Sequence, residues 1–209
     1  MFSSSVSSKT ISACLLALLA GSIASSAHSE SLNIADTWLV RVRAVSINPE
    51  NSNTPRLADP LSINSKVIPE FDISYALNNN WSSELILTYP QKHNVLANST
   101  VIGSVKHLPP TLLLQYHINT DSGFSPYLGA GLNYTRFMQA HLPAGVAVGK
   151  QSMGAAGQVG IDFEIAPNTY FNIDYKYIKM KTDVTAGGAK LTTLGLNPGL
   201  FGIGIGRRF

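Results

Sequence analysis

The sequence holds 209 residues, with 15 Lys and Arg against 12 Asp and Glu, a formal net charge of +3 and a single cysteine. That length suits one domain, and basic residues scattered singly or in pairs exclude the clustered cationic face that a nucleic-acid partner needs. Charged residues are only 13% of the total, yet no apolar run after Ala27 reaches the roughly 20 residues of a spanning helix.

Residues 1–27 read as an export signal. Met1 to Thr10 is polar with one positive charge at Lys9, Ile11 to Ala20 is apolar, and small residues lead through Ser25 and Ser26 to Ala27. This order marks secretion, with Ala27 the expected last residue removed. The bulk of the apolar run follows Cys14, whereas a lipid-modified cysteine would come after it, so Cys14 reads as part of the signal. Residues 28–209 then form one domain without cysteine. That suits an oxidising compartment without disulfides and excludes thiolate metal sites and cysteine catalysis.

Period two, the signature of half-buried strands, runs through the rest of the chain. Trp38, Val40, Val42 and Ala44 alternate with Leu39, Arg41, Arg43 and Val45. Phe71, Ile73, Tyr75 and Leu77 alternate with Glu70, Asp72, Ser74 and Ala76; Trp81, Leu85, Leu87 and Tyr89 with Glu84 and Thr88. Leu112, Leu114, Tyr116 and Ile118 form the fourth segment, and Phe124 to Phe137 a weaker fifth. Val159, Ile161, Phe163 and Ile165 form the sixth, Phe171, Ile173, Tyr175 and Tyr177 the seventh, and Phe201, Ile203 and Ile205 the eighth. Connections alternate in length. Asn48–Lys66, Gln91–Gly103, Gln139–Lys150 and Lys181–Thr193 are long, while Asn78–Asn80, Asn119–Gly123 and Ala166–Asn168 are short and rich in turn residues.

The pattern predicts an all-β fold, an eight-stranded antiparallel up-and-down transmembrane barrel with long extracellular loops and short periplasmic turns. Aromatic residues near strand ends, Trp38, Trp81, Tyr89, Tyr116 and Phe171 among them, would form interfacial girdles. Phe209 closes an apolar strand face, as expected where a last strand pairs with the first to remove the sheet edge. The expected place is the outer membrane of a Gram-negative cell, with its lipid and, through Phe209, the barrel-assembly machinery as partners.

Several stretches resemble the outer-membrane protein W (OmpW) family: Gly103–Leu112 with its His-Leu-Pro-Pro-Thr core, Pro126–Thr135, Gly154–Gly160, Arg208-Phe209 and the opening Val40-Arg41-Val42-Arg43. Asn197-Pro198-Gly199 and Arg207 depart from the family's usual pattern. The resemblance implies an eight-stranded barrel that passes small hydrophobic molecules inward across the outer membrane.

Alternation also assigns the interior. An eight-stranded barrel is barely wide enough for its own side chains. Arg41, Arg43, Asp72 and Glu84 are expected to cluster in the lower or middle lumen, Arg43 near Asp72 and Arg41 near Ser74. Asp162, Glu164, Asp174 and Lys176 would come from the opposite wall, and Arg208 would sit close to the floor. Inward charges in such a space persist when paired, so these residues predict a charged plug. Above it Val45, Ile86, Thr88 and Leu113 would line an apolar chamber for a small hydrophobic ligand. Pro109 and Pro110, expected inside the fourth strand, cannot donate ladder hydrogen bonds and mark a seam for lateral release.

No catalytic constellation emerges, and neither enzyme activity nor a cofactor or metal is expected. Gly145–Gln151 lacks the closing Ser or Thr of a phosphate loop, and His93, His107, His117 and His141 lack metal-ligand spacing. Two rivals remain. One is a structural or receptor barrel that binds partners through its outer loops; the other is a lipid-modifying barrel enzyme with His107 or His117 as base.

Overall fold

Side chains on alternate residues of a strand face opposite environments, and a computed structural model of the chain carries that pattern through fifteen strands. The structure describes residues 37–118, 120 and 122–209; the expected export signal, 1–27, lies outside them. In chain order the strands are β1 (Trp38–Asn48), β2 (Ser52–Thr54), β3 (Leu61–Ile63), β4 (Lys66–Ala76) and β5 (Trp81–Leu87). There follow β6 (Gln91–Ala97), β7 (Thr100–Leu108), β8 (Thr111–His117), β9 (Phe124–His141) and β10 (Val146–Val148). The last five are β11 (Gln151–Ala166), β12 (Thr169–Ile178), β13 (Lys181–Ala186), β14 (Ala189–Gly195) and β15 (Gly199–Arg208).

Antiparallel pairing runs β1-β4-β5-β8-β9-β11-β12-β15 and back to β1, which closes the expected eight-stranded barrel. First and last strands are laddered from Leu39–Arg208 to Asn48–Gly199. The Phe209 amide then donates to the Trp38 carbonyl at 2.8 Å. Burial is inverted relative to a soluble domain: Arg41 and Arg43 are among the largest fully buried side chains, while Leu132 is 63% exposed and Val159 57%. Closure satisfies the backbone internally, and the outward apolar face is the one that meets lipid. At the turn end, Trp38 packs on Tyr75 at 4.7 Å and Trp81 on Tyr116 at 5.1 Å between ring centroids, both cross-strand pairs.

Three expectations change. The long connections are not simple loops, because they contain β2, β3, β6, β7, β10, β13 and β14. Extended β9 pairs with β7, β7 with β6 and β6 with β3, whereas β10, β13, β14 and β2 form a separate four-stranded sheet. β6 with β7 and β13 with β14 are local hairpins, while β2, β3 and β10 pair with strands of other connections at the same rim. Second, the weak segment Phe124–Phe137 reaches His141, since both β11 and β7 hydrogen-bond to it. Third, Pro109 and Pro110 lie between β7 and β8 rather than inside a strand.

Candidate functional site: a charged floor beneath an apolar chamber

Arg41 and Arg43 point inward from β1 and organise the lower lumen. Arg41 reaches Asp72 at 3.0 Å, Glu84 at 3.2 Å and Asp162 at 2.9 Å. Arg43 reaches Glu70 at 3.1 Å, Asp72 at 3.2 Å, Glu84 at 2.8 Å and Asp174 at 3.1 Å. Lys176 completes the cluster, 2.6 Å from Glu70 and 2.7 Å from Asp174. Arg41 is laddered opposite Asp72 and Arg43 opposite Glu70, two residues from the expected register. The long guanidinium arms still make the expected contacts, since Arg41 also donates to Ser74 Oγ at 3.1 Å.

Three cations thus face five carboxylates, and neutral donors add hydrogen bonds to three of the carboxylates. Gln115 Nε2 donates to Glu84 at 2.9 Å, Gln158 Nε2 to Asp174 at 2.8 Å and Asn172 Nδ2 to Asp162 at 2.8 Å. Buried ions tolerate such a site only when each has partners. Space for the two arginines comes from β15, where Gly206 faces Arg41 and Gly204 faces Arg43 in the ladder. A Cβ at Gly206 would stand 2.8 Å from Arg41 Cγ.

Two expected members of the plug stand apart. Glu164 is exposed at the turn end, where it is still laddered to Tyr170 in register with Asp162 but stands beyond the buried cluster, just before the register shift between β11 and β12. Arg208 is half-buried near the floor, where it donates to Thr37 Oγ1 at 3.1 Å and lies over the Tyr170 ring. Glu70, Gln115 and Gln158 were missed. Glu70 opens its segment, and a neutral amide carries no sign of burial in sequence. At the floor Ser82 Oγ meets His117 Nε2 at 3.0 Å, but the adjoining cavity is about 10 Å³.

Above the ions the lining changes. Val45, Ile86 and Leu113 are buried as expected and join one apolar cluster with Ile68, Ile178 and Leu200. Thr88 is only half-buried, and its Oγ1 is shielded from solvent without a hydrogen-bond partner. The cavity itself lies higher than expected, between the inner faces of the two extramembrane sheets. It measures about 110 Å³ and is lined by Ile63, Val95, Val105, Phe137, Val184 and Leu194 among others. A period-two signal was present there, as Gln91, His93 and Val95 are buried while Lys92 and Asn94 are exposed.

The wall between floor and chamber is incomplete on one side. The ladder from β4 to β5 ends at Phe71–Leu87, and that from β5 to β8 ends at Ile86–Thr111. Pairing resumes only at Gln91–His107, between β6 and β7. Thr88, Tyr89 and Pro90 lie outside these ladders, beside Pro109 and Pro110, while Lys66–Glu70 of β4 are laddered to β1. On the β9 side the prolines are held: Asn133 Nδ2 donates to the carbonyls of Pro109 at 3.2 Å and Pro110 at 3.3 Å. The Tyr134 amide also donates to Pro110, at 3.0 Å. The interruption therefore opens toward β5 and β4 rather than toward β9.

With this architecture described, comparison with known proteins places it. A family model described as OmpW family matches residues 35–209. Outer membrane protein W of Vibrio cholerae is 32% identical over 217 residues, covering 94% of this chain and 98% of its own. A Pseudomonas aeruginosa relative named dibenzothiophene metabolism operon protein PahQ is 30% identical over 152 residues, covering 66% of this chain and 70% of its own. Among solved structures, the outer membrane protein OprG of Pseudomonas aeruginosa superposes with a TM-score of 0.74 at 25% identity, over 86% of this chain and 98% of OprG.

Proposed function

The chain belongs to the OmpW family of Gram-negative outer-membrane β-barrels, and we propose that it passes small hydrophobic molecules from outside into that membrane. The observation that carries this reading is the vertical order of the lumen. An apolar cavity between the extramembrane sheets leads down to Val45, Ile86 and Leu113, and the buried ion cluster lies beneath them. An apolar molecule gains by leaving water for the cavity. It gains nothing by displacing paired ions, whose separation is costly, so the floor blocks descent.

Exit is then sideways, through the wall interruption bounded by Thr88–Pro90, Pro109 and Pro110 on one side and upper β4 on the other. PahQ's name associates that relative with metabolism of an apolar heteroaromatic compound, which agrees with a hydrophobic cargo here. We read the barrel as a carrier without turnover, because the buried Ser82–His117 contact adjoins a space too small for a lipid chain.

The test is uptake of naphthalene by Gram-negative cells lacking their own relative, with and without this chain in the outer membrane. Faster uptake with the chain is expected. A rate equal to that of cells without it, with the barrel assembled, overturns the proposal.

A further inference from the structure

Gln91, His93 and His107 form a buried polar patch directly behind Val105 and Phe137, two of the side chains that line the apolar cavity. Gln91 and His93 are completely buried, and His107 is 5% exposed. Gln91 is laddered opposite His107 and His93 opposite Val105, and the two imidazoles stack at 5.0 Å. His107 also packs 6.1 Å from Phe137, which lines the cavity together with Val105.

Buried polar atoms nearly always have partners, yet Gln91 Oε1, His93 Nε2 and His107 Nδ1 have none. The bonds their side chains do make determine what is left over. Gln91 Nε2 donates to the Tyr89 carbonyl at 2.9 Å, which leaves the amide oxygen bare. His93 Nδ1 lies 3.0 Å from the Asn64 carbonyl, so it carries the proton and Nε2 presents a lone pair. Two bare atoms are therefore acceptors, and the third follows the tautomer of His107. Stacking rather than convergence of the rings does not suit a metal ion.

These strands stand above the lipid-facing band, since Lys92 and Arg136 are exposed on the outer surface there. Burial and the neighbouring Lys66 ammonium hold both imidazoles below their ordinary pKa, His107 down to about 3. The lone pairs thus persist at neutral pH. Lys66 Nζ reaches the Lys92 carbonyl between Gln91 and His93 at 3.4 Å, and its charge disfavours a cationic guest. Acceptors disfavour a carboxylate. A neutral hydroxyl fits both conditions.

We infer that Gln91 Oε1 and His93 Nε2 form a hydroxyl-recognition subsite, which selects hydrophobic alcohols and phenols over the corresponding hydrocarbons. The inference rests on the carrier reading above and names the cargo class for that same chamber.

The test is equilibrium binding of naphthalene, 1-naphthol, 1-methoxynaphthalene and 1-naphthoate to the folded barrel in detergent micelles. Each value is corrected for partition into protein-free micelles. 1-Naphthol should bind about five- to tenfold more tightly than naphthalene, the value of one neutral hydrogen bond. The methyl ether, which cannot donate, should bind like naphthalene, and the carboxylate more weakly. His93→Phe and Gln91→Met, each checked for heat-shifted gel migration, should remove most of the preference, read as the ratio of 1-naphthol to naphthalene affinity within the same variant. If neither variant folds, the ether comparison decides.

Equal affinities for naphthol and its ether, or a preference that survives both folded variants, overturn the subsite. If naphthalene binds and enters cells while the hydroxyl preference is missing, only the subsite falls. If naphthalene neither binds nor enters cells, the carrier reading fails with it.

Discussion

Arg43 lies directly opposite Gly204 in the ladder between β1 and β15, and its side chain occupies the space that a larger residue there would need. The pairing of an inward arginine with an inward glycine joins barrel closure to the construction of the charged floor. The inward glycines of β15 leave the lumen space that the arginine side chains of β1 fill at that height.

Gly204→Ala should therefore destabilise the barrel. A Cβ there meets the Val42 carbonyl oxygen and stands 2.7 Å from Arg43 Cγ. Overpacking of this kind costs about 1–3 kcal/mol, and here it also pushes a guanidinium away from its carboxylates. Thermal unfolding in micelles, followed by loss of heat-shifted gel migration, should move to lower temperature. An unchanged midpoint would contradict the close packing.

Arg41→Leu leaves Asp162, Asp72 and Glu84 each short of a cation partner. Removing one member of a buried ion cluster costs about 3–5 kcal/mol. Adding Asp162→Asn should recover part of that loss, so the double variant is more stable than the sum of the single effects implies. Urea unfolding from lipid vesicles measures the difference. Strict additivity would show that the two side chains are not coupled.

Replacing Pro109 and Pro110 together with valine supplies two backbone donors between β7 and β8, and should let the two strands continue as one. Naphthalene uptake by cells should then drop several-fold while the barrel remains assembled. Undiminished uptake with an intact barrel would place the exit elsewhere.

The buried His107 predicts acid sensitivity of the extramembrane sheets. Its ring is held neutral in the folded protein, down to a pKa of about 3, by burial first and by His93 and Lys66 second. In the unfolded chain it takes up a proton near pH 6.5. The unfolded state thus binds more protons below that value, so stability is full above pH 6.5 and falls as pH drops toward 3. His107→Phe should flatten the decline between pH 6.5 and 5, read from thermal midpoints. An equally steep decline in the variant would remove His107 as its source.

Much of the barrel is legible in the sequence, because lipid and lumen impose opposite demands on alternate residues. Arg41 and Arg43 between Val40, Val42 and Ala44 could face only inward, and Asp72, Glu84, Asp162, Asp174 and Lys176 followed by the same parity. Glu164 shares that parity but stands at the exposed turn end, which parity alone cannot foresee. The strands of the long connections were harder to see, since stretches such as Gln91–Ala97 are short and their buried face is set by a second sheet drawn from other connections.

By itself, then, the chain specified which side chains point inward and which meet lipid, since a period of two follows from strand geometry alone. Three-dimensional pairing decided how those side chains meet: the two-residue offset of β1 against β4, the missing rungs around Pro90 and Pro109, and the chamber between two sheets above the membrane. Those features depend on hydrogen bonds between residues far apart in sequence, and local alternation forbids a one-residue slip but does not distinguish registers two residues apart.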